Sequence, residues 1–136
     1  MKVTPYLTFG GNCAQALAFY AEVLGGEITM TMLFKEMSEE KMPDEMGSQI
    51  AHMTLDLGEG QLLFGSDTFE PESYNGVEGA ALHVSRDSMD AAQVLFDKLR
   101  DGGSITIPLE KTSWSEGFGM CRDKFGVVWM IDIEGA

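Results

Sequence analysis

The hydrophobic and polar positions of this chain form one pattern that occurs twice, about 76 residues apart. In each half a short apolar run precedes a stretch with helical spacing that ends in paired glycines. The two apolar runs are Tyr6-Leu7-Thr8-Phe9 and residues 80–84. Extended sequence with hairpin signals follows in both halves. A strand, a helix and further strands, repeated once, predict two half-sheets. Each half-sheet has a concave face that needs a cover, and we expect the two to cover each other around a pocket.

Two amphipathic helices are predicted, one in each half. The apolar residues of the first recur at i, i+3, i+4 and i+7, as Leu17, Tyr20, Ala21 and Leu24. Asn12 and Gln15 have the spacing of a capping box at its start, and Gly25-Gly26 ends it. In the second helix Ser88 is the predicted N-cap and Gly102-Gly103 the stop. Its buried stripe consists of Ala92, Leu95, Phe96 and Leu99.

Strand signals follow each helix and are bounded by turn residues. The predicted strands cover residues 27–34, 50–57, 61–66, 117–122 and 127–133. Gly58-Glu59-Gly60 joins the middle pair of the first half into a hairpin, and residues 123–126 form the matching turn in the second half. The apolar run at 127–133 predicts a fully buried strand.

Residues 35–49 break every period and are rich in charge and methionine, which predicts a mobile excursion between two strands. Its methionines admit two interpretations. They form an adaptable flap over a ligand, or they belong to a surface or subunit-contact loop with a few methionines turned inward.

Composition limits the class of protein. At 136 residues with 44% hydrophobic residues, the chain fits a single domain made of two modules, about 1–68 and 78–136. No apolar run approaches the roughly 20 residues that cross a bilayer, and the first residues lack a secretory signal, so we expect a cytoplasmic location. Nine basic and 22 acidic residues give a net charge of -13, which excludes nucleic acid and anionic membranes as partners. Cys13 and Cys121 are then expected to be buried or half-buried thiols.

The two histidines, His52 and His83, are the first candidates for chemistry. Strand alternation places His52, Thr54 and Asp56 on one face and the apolar residues between them on the other. In a pocket His52 would act as a general base or an orienting hydrogen-bond donor; otherwise it is a strand histidine satisfied by its neighbours. His83 lies near the end of its strand, where an exposed or capping role is the simpler interpretation.

Other side chains near the expected pocket have open roles. Trp114 lies in a polar loop and is either a lid that stacks on a ligand or a hydrophobic plug at a subunit seam. Trp129 alternates with Val128 and Met130, which indicates core packing. Charge at the rim of the pocket is expected from Asp67, Glu116 and Arg122. No serine lies in a nucleophile elbow, and the glycines of Gly10-Gly11 and Gly117-Phe118-Gly119 are too few and badly placed for a phosphate loop. Covalent and phosphoryl-transfer chemistry therefore have no support.

A set of short motifs extends over nearly the whole chain, from about Thr4 to Ile133. They are Asn12-Cys13-Ala14, Phe19-Tyr20, Leu24-Gly25-Gly26, Trp114, Gly117-Phe118-Gly119, Asp123-Lys124-Phe125-Gly126 and Trp129-Met130-Ile131. Together they resemble the PhnB-like branch of the vicinal oxygen chelate superfamily, which also holds glyoxalase I, the extradiol dioxygenases and the bleomycin and fosfomycin resistance proteins. The resemblance implies an α+β fold of paired βαβββ modules with curved mixed sheets, assembled as a homodimer with a cavity in each sheet. It also matches Asp67 to a recurrent Ser-Asp pair of the branch.

The metal-dependent members of that superfamily use histidines and glutamates to hold one divalent ion, which acts as a Lewis acid. Carried over by resemblance, the ligand positions fall at Pro5 or Tyr6, at Phe64, near Gly79 and at Met130. These residue types do not hold a hard or borderline cation, and the Tyr6 phenol alone is a poor ligand. The resemblance therefore implies no metal and no other cofactor, and a cavity drier and more apolar than a glyoxalase site.

Two functions follow from these observations. The preferred one is a metal-independent protein that binds a small, partly apolar molecule in the cavity of a homodimer. The expected ligand-binding residues are His52, Thr54, Phe64, Asp67, Trp114 and Met130, with Met32 as a further candidate for the wall. The alternative is a glyoxalase-like lyase or isomerase, with His52 as its base or with a metal relocated to His52, Asp67 and a residue of a partner chain.

Overall fold

A computed structural model describes residues 1–39 and 41–134 of the chain, which divides into two compact units at residues 77 and 78. Each unit has the element order β-α-β-β-β and forms its own four-stranded mixed sheet. The predicted α+β fold of two βαβββ modules is therefore confirmed. That the two modules form a single domain remains a prediction.

Unit 1 carries the first sheet and its helix. Its main elements are β1 (Tyr6–Phe9), α1 (Cys13–Leu24), β2 (Glu27–Leu33), β3 (Ile50–Gly58) and β4 (Gln61–Asp67). The strand order is β1-β4-β3-β2, in which β1 and β4 are parallel and the other neighbours antiparallel. The predicted hairpin across Gly58-Glu59-Gly60 is confirmed, since β3 and β4 pair on either side of it. A single turn of 3-10 helix (Pro71–Ser73) follows.

Helix α1 covers one face of this sheet. A Cβ atom built on Gly65 of β4 would lie 3.1 Å from both Cys13 Sγ and Leu17 Cδ1, so the helix approaches the strand closely at this point. The side chains beneath it are buried, namely Leu7, Phe9, Met53, Leu55 and Leu63. Because strand side chains alternate between faces, their neighbours lie on the opposite, open face of the sheet.

The first turn of α1 is held by a carboxylate from β4. Oδ1 of Asp67 accepts hydrogen bonds from the backbone N–H groups of Gly11 (3.1 Å) and Cys13 (2.9 Å), and Oδ2 accepts one from Ile50 (3.0 Å). The side chain of Asn12 makes no capping bond, so the predicted capping box is wrong. A carboxylate 54 residues away in the chain satisfies the free N–H group in its place.

The other predicted helix boundaries are confirmed. Gly25 follows the last residue of α1 with φ 80° and donates its N–H to the carbonyl of Ala21 at 3.0 Å, a left-handed cap that favours glycine. In the second half the hydroxyl of Ser88 accepts the N–H of Ala91 at 3.1 Å and caps α4 (Met89–Arg100).

The methionine-rich segment after β2 contains two short helices, α2 (Phe34–Met37) and α3 (Asp44–Gly47). Phe34 anchors the first of them, because its ring is buried, stacks 4.0 Å from the ring of Phe69, and its N–H donates to the carbonyl of Gln49. The segment connects two strands as predicted, but single turns of this length leave no periodic signal in a sequence.

Unit 2 repeats the architecture with β5 (Leu82–Arg86), α4, β6 (Ser104–Glu110), β7 (Phe118–Arg122) and β8 (Val128–Ile133). The strand order is β5-β8-β7-β6, and β5 and β8 are the parallel pair. The predicted stripe of α4 is confirmed, since Ala92, Leu95, Phe96 and Leu99 are all buried.

Strand β8 alternates between buried and half-buried residues, so the prediction of a fully buried strand is wrong. Trp129 and Ile131 are buried, whereas Met130 and Asp132 are half-buried on the other face. The indole N–H of Trp129 donates to Oδ2 of Asp123 at 2.9 Å, which confirms its role in the core. The other oxygen of Asp123 accepts the N–H groups of Phe125 and Val127 and shapes the turn before β8.

Within residues 1–39 and 41–134, no helix has the length and apolar character that a bilayer crossing requires.

Replacing Asp67 by Asn should lower the free energy of unfolding by about 2–4 kcal/mol, because the amide nitrogen is a donor and replaces one of the two oxygens that accept the three backbone N–H groups. Chemical denaturation in urea, followed by circular dichroism, measures the change. The matched control is Asp87→Asn, an exposed site where the change should stay within about 0.5 kcal/mol. Equal stability of the two variants would contradict the role assigned to Asp67.

Candidate functional site

The open face of unit 1 carries a compact group of aromatic and polar side chains, Tyr6, His52, Thr54 and Phe64, which we name the unit 1 cluster. Phe64 is opposite Tyr6 in the parallel β1–β4 pair and opposite Thr54 in the antiparallel β3–β4 pair. Its ring lies 6.0 Å from that of Tyr6 and 4.9 Å from that of His52, both in edge-to-face arrangement. The fold thus brings together three of the six predicted ligand-binding residues.

Both ring nitrogens of His52 lie within hydrogen-bonding distance of a hydroxyl group. Nδ1 is 3.1 Å from the hydroxyl of Tyr6, and Nε2 is 3.0 Å from Oγ1 of Thr54. A neutral imidazole offers one N–H and one lone pair, so one hydroxyl accepts and the other donates. The ring is therefore held at two points in the half-buried surface of the sheet.

Asp67 does not belong to this cluster, which corrects the expectation that it binds ligand at the rim of the pocket. Its side chain is 4% exposed and lies beneath α1, on the face of the sheet opposite His52. Since both carboxylate oxygens accept backbone hydrogen bonds, Asp67 has a structural role. A metal ion shared by His52 and Asp67 is excluded for the same reason.

On the open face of unit 2, two adjacent rows of side chains cross β5, β8 and β7. One row runs from His83 through Met130 to Met120 and the other from Ser85 through Asp132 to Phe118. On β6, Ile107 is opposite Met120 and Glu110 is opposite Phe118. Within the second row Oδ1 of Asp132 accepts the hydroxyl of Ser85 at 2.7 Å. Oδ2 of Asp132 lies 3.0 Å from Nε2 of His83. We name His83, Ser85 and Asp132 the unit 2 cluster.

Sequence reasoning missed this cluster because it depends on the parallel register of β5 and β8. His83 and Ser85 are polar at alternate positions of one strand, and Asp132 follows Met130 with the same spacing 47 residues later. This alternation of polar residues in both strands was the one feature of the sequence that indicated the cluster. The register cannot be deduced from either strand alone, because it is set by which faces of the assembled sheet are buried. A shift by one residue would bury the polar set.

Asp132 is held in its ionised form by its neighbours. Partial burial by itself raises the pKa of its carboxyl, but the hydrogen bonds from Ser85 and His83, together with the charge of His83, outweigh burial and lower the pKa below its usual value. The side chain of Asp132 is 29% exposed and that of His83 51% exposed.

Trp114 lies at one end of this face. Its indole is 70% exposed and its ring is 5.8 Å from that of Phe118, in a turn closed by the Thr112 hydroxyl, which accepts the Ser115 N–H at 3.0 Å. Of the predicted rim charges in this half, Glu116 forms an exposed ion pair with Lys111 at 3.7 Å and Arg122 donates to the carbonyl of Gly126.

The metal-dependent members of the superfamily that the motifs resemble hold a divalent ion, and the residues present in this chain do not fit one. In the described ranges, no three His, Cys, Asp or Glu side chains lie together as a metal site requires. Tyr6 and Phe64 pack ring against ring, Gly79 precedes β5, and Met130 is opposite His83. Among the residues that the structure describes, one carboxylate pairs with His83 and none with His52.

The cysteines are free, buried and unsuited to chemistry. Burial, with a smaller contribution from the charge of Asp67, raises the pKa of Cys13 to about 12. Burial, with the charge of Asp123 adding to it, raises the pKa of Cys121 to about 11. The thiols therefore stay protonated at neutral pH, where the thiolate is the reactive form.

A cavity of about 370 Å³ lies between α2 and α3 of unit 1 and is lined by Lys35, Met42 and Asp44 among others. Its lining includes none of the six predicted ligand-binding residues. The methionine-rich segment thus borders a cavity separate from the unit 1 cluster.

Comparison with known proteins places this fold. A sequence model of the Glyoxalase/Bleomycin resistance protein/Dioxygenase superfamily matches residues 2–131. Protein YjdN of Escherichia coli (strain K12) is 33% identical over 142 residues, covering 98% of this chain and 95% of YjdN. The crystal structure of protein PA1353 from Pseudomonas aeruginosa has a TM-score of 0.86 and 34% identity, with 98% of each chain covered. A PhnB protein from Bacillus cereus has a TM-score of 0.81 and 26% identity, covering 98% of this chain and 99% of that one.

The chain therefore belongs to the glyoxalase/bleomycin resistance protein/dioxygenase superfamily, as its motifs indicated. Within it, the likeness to YjdN and to the PhnB structure assigns the chain to the PhnB-like branch.

Replacing Ser85 by Ala should move the pKa of Asp132 upward toward the ordinary Asp value, because one of the bonds that favour the ionised form is lost. A carboxyl-carbon NMR titration measures both values. Since the folded pKa is lowered, the stability that Asp132 contributes is present above its unfolded pKa of about 3.9 and is lost as the pH falls through the folded value. Asp87, which is exposed, serves as the reference carboxyl, and unchanged titration of Asp132 would contradict the assignment.

Proposed function

We propose that this PhnB-like protein binds a small, partly apolar molecule without a divalent metal ion, and that the unit 1 cluster is part of its binding surface. The observation that carries the proposal is the packing of Tyr6, Phe64 and His52, whose ring centres lie 4.9–6.0 Å apart. By resemblance, Tyr6 and Phe64 stand at or next to positions that carry metal ligands in the metal-dependent members of the superfamily. The rings of Tyr6 and Phe64 supply apolar contact area, and together with a single imidazole they do not make up the three or four ligands of a divalent-metal site.

The chemistry of the cluster fits a ligand with an apolar body and one polar group. Phe64 and Tyr6 offer ring faces and edges, while His52 and Thr54 offer hydrogen-bonding groups already fixed in position. On unit 2, Met130 and Trp114 remain proposed ligand contacts. The net charge of -13 favours a neutral or cationic ligand over an anionic one.

The alternative of a lyase or isomerase with His52 as its base is supported less well by this geometry. A general base needs a ring nitrogen whose lone pair faces the substrate. Both nitrogens of His52 are engaged by hydroxyls at 3.0 and 3.1 Å, so one of these bonds would have to be exchanged for the substrate. Orientation of a bound molecule requires no such exchange.

The proposal includes a homodimer, in which a second copy covers exposed apolar side chains. Tyr6 is 49% exposed, Met30 44% and Trp114 70%. Large exposed side chains of this kind are commonly covered by a partner, and two-fold dimers are the most frequent assembly.

A cytoplasmic location is also part of the proposal. Its support is the pair of unpaired, buried thiols, Cys13 and Cys121. Free thiols are the usual state of cysteine in a reducing compartment.

Ligand binding can be measured with Nile red, a neutral apolar dye whose fluorescence rises on binding. We expect saturable binding that Phe64→Glu weakens roughly tenfold, since the contact of an aromatic side chain is worth about 1.5 kcal/mol or more. Val94→Glu, at an exposed apolar site on α4, is the matched control and should bind as the unaltered protein does. Elemental analysis of protein purified without chelator should find far less than one divalent ion per chain; a near-stoichiometric content would overturn the metal-free proposal.

Sedimentation equilibrium should give twice the mass of one chain. Trp114→Ala then distinguishes the two roles considered for this side chain. If Trp114 is a plug between subunits, the variant forms a weaker dimer. If it is a lid over the ligand, the variant binds Nile red more weakly and keeps the dimer mass. Trp129, which is 2% exposed, provides a constant fluorescence background in both cases. A monomeric mass at every concentration would refute the dimer.

A further inference from the structure

The two histidines of this protein differ in what their ring nitrogens contact. In His52 both nitrogens face hydroxyl groups, whereas in His83 only Nε2 has a partner, Oδ2 of Asp132 at 3.0 Å. Among the described residues, nothing lies within hydrogen-bonding distance of Nδ1 of His83, and half of this side chain is exposed. His83 therefore has a free ring nitrogen on an accessible face.

Asp132 fixes the tautomer of His83. Its carboxylate accepts the hydroxyl of Ser85 through Oδ1 and faces Nε2 of His83 through Oδ2. A carboxylate only accepts hydrogen bonds, so Nε2 must carry the proton, and in the neutral ring the lone pair is then on Nδ1. The arrangement leaves Nδ1 as the hydrogen-bond acceptor of a half-exposed ring.

Apolar side chains lie on the same face as His83. Met130 is directly opposite His83, Met120 is opposite Met130, and Phe118 is opposite Asp132 with the ring of Trp114 at 5.8 Å. With strands about 4.8 Å apart and alternate residues about 7 Å apart, the two rows span about 10 by 7 Å. An area of this size matches a molecule of one or two fused rings.

Charge narrows the class of molecule further. An ionised Asp132 next to the acceptor and a net charge of -13 disfavour an anionic ligand. The lone pair of Nδ1 pairs with a hydrogen-bond donor of the ligand. The thioethers and rings on the same face favour a ligand with a flat apolar body.

We infer that the open face of unit 2 is a binding site for neutral, flat aromatic or conjugated molecules that carry a hydroxyl group, such as a phenol or an enol, whose O–H donates to Nδ1 of His83 while Asp132 positions the ring. This inference rests on the proposed function, in which the open face of a sheet binds a small molecule. It goes beyond the proposed function in the class of ligand and in assigning recognition to His83.

The experiment compares β-naphthol with its methyl ether, which has the same rings but no O–H. By fluorescence titration we expect the unaltered protein to prefer β-naphthol about fivefold, the effect of one net hydrogen bond. His83→Ala should remove the preference and leave binding of the methyl ether unchanged. Lys98→Ala, at an exposed position of α4, is the matched control and should keep the preference.

The positioning role of Asp132 has its own readout. Nitrogen NMR at about pH 8 should show the His83 ring with its proton on Nε2, and Asp132→Asn should give a mixture of tautomers and a smaller naphthol preference. Equal tautomer signals in the two proteins would overturn this part of the inference.

The outcomes separate the inference from the proposed function. Nile red binding together with a naphthol preference that survives His83→Ala overturns the inference alone. Absence of Nile red binding with a naphthol preference lost in His83→Ala overturns the proposed use of unit 1 and supports the site on unit 2. Absence of binding of all three compounds overturns both.

Discussion

A buried aspartate organises each unit of this protein, and the placement of the functional side chains depends on it. Asp67 links the start of α1 to the first residue of β3 through three backbone hydrogen bonds, and Asp123 links the last turn to β8 through two backbone groups and the indole of Trp129. Because β3 is held at Ile50, His52 two residues later lies on the open face. A carboxylate that accepts several backbone N–H groups in a buried place allows little movement of either element.

The two open faces follow from the same construction. One helix covers one face of each four-stranded sheet, which leaves the alternate residues of every strand without cover in their own unit. In unit 1 those residues include Tyr6, His52, Thr54 and Phe64, and in unit 2 they include His83, Ser85, Met130 and Asp132. Both faces combine rings or thioethers with a few fixed hydrogen-bonding groups, the composition of a small-molecule site.

The chemical difference between the two faces lies in the partners of their histidines. In His52 each ring nitrogen has a hydroxyl partner, so the ring is oriented and both of its hydrogen-bonding positions are occupied. A carboxylate at one nitrogen leaves the other nitrogen of His83 available. By resemblance, the strand positions that carry metal ligands in the metal-dependent members of the superfamily hold aromatic, sulfur and glycine residues in this chain, and these residue types do not bind a hard or borderline cation.

The sequence alone determined the modules, the helix stripes, the turn glycines and the absence of a ligand set at the superfamily positions, because these depend on local spacing and residue type. The alternation in β3 also placed His52 and Thr54 on one face correctly. Tertiary structure decided the rest. Asp67, read as a rim residue, is buried under α1, and His83, read as a simple surface residue, meets Asp132, since both outcomes depend on the register of strands distant in the chain. Local sequence carries no record of such a register, which is set only when whole faces are buried together.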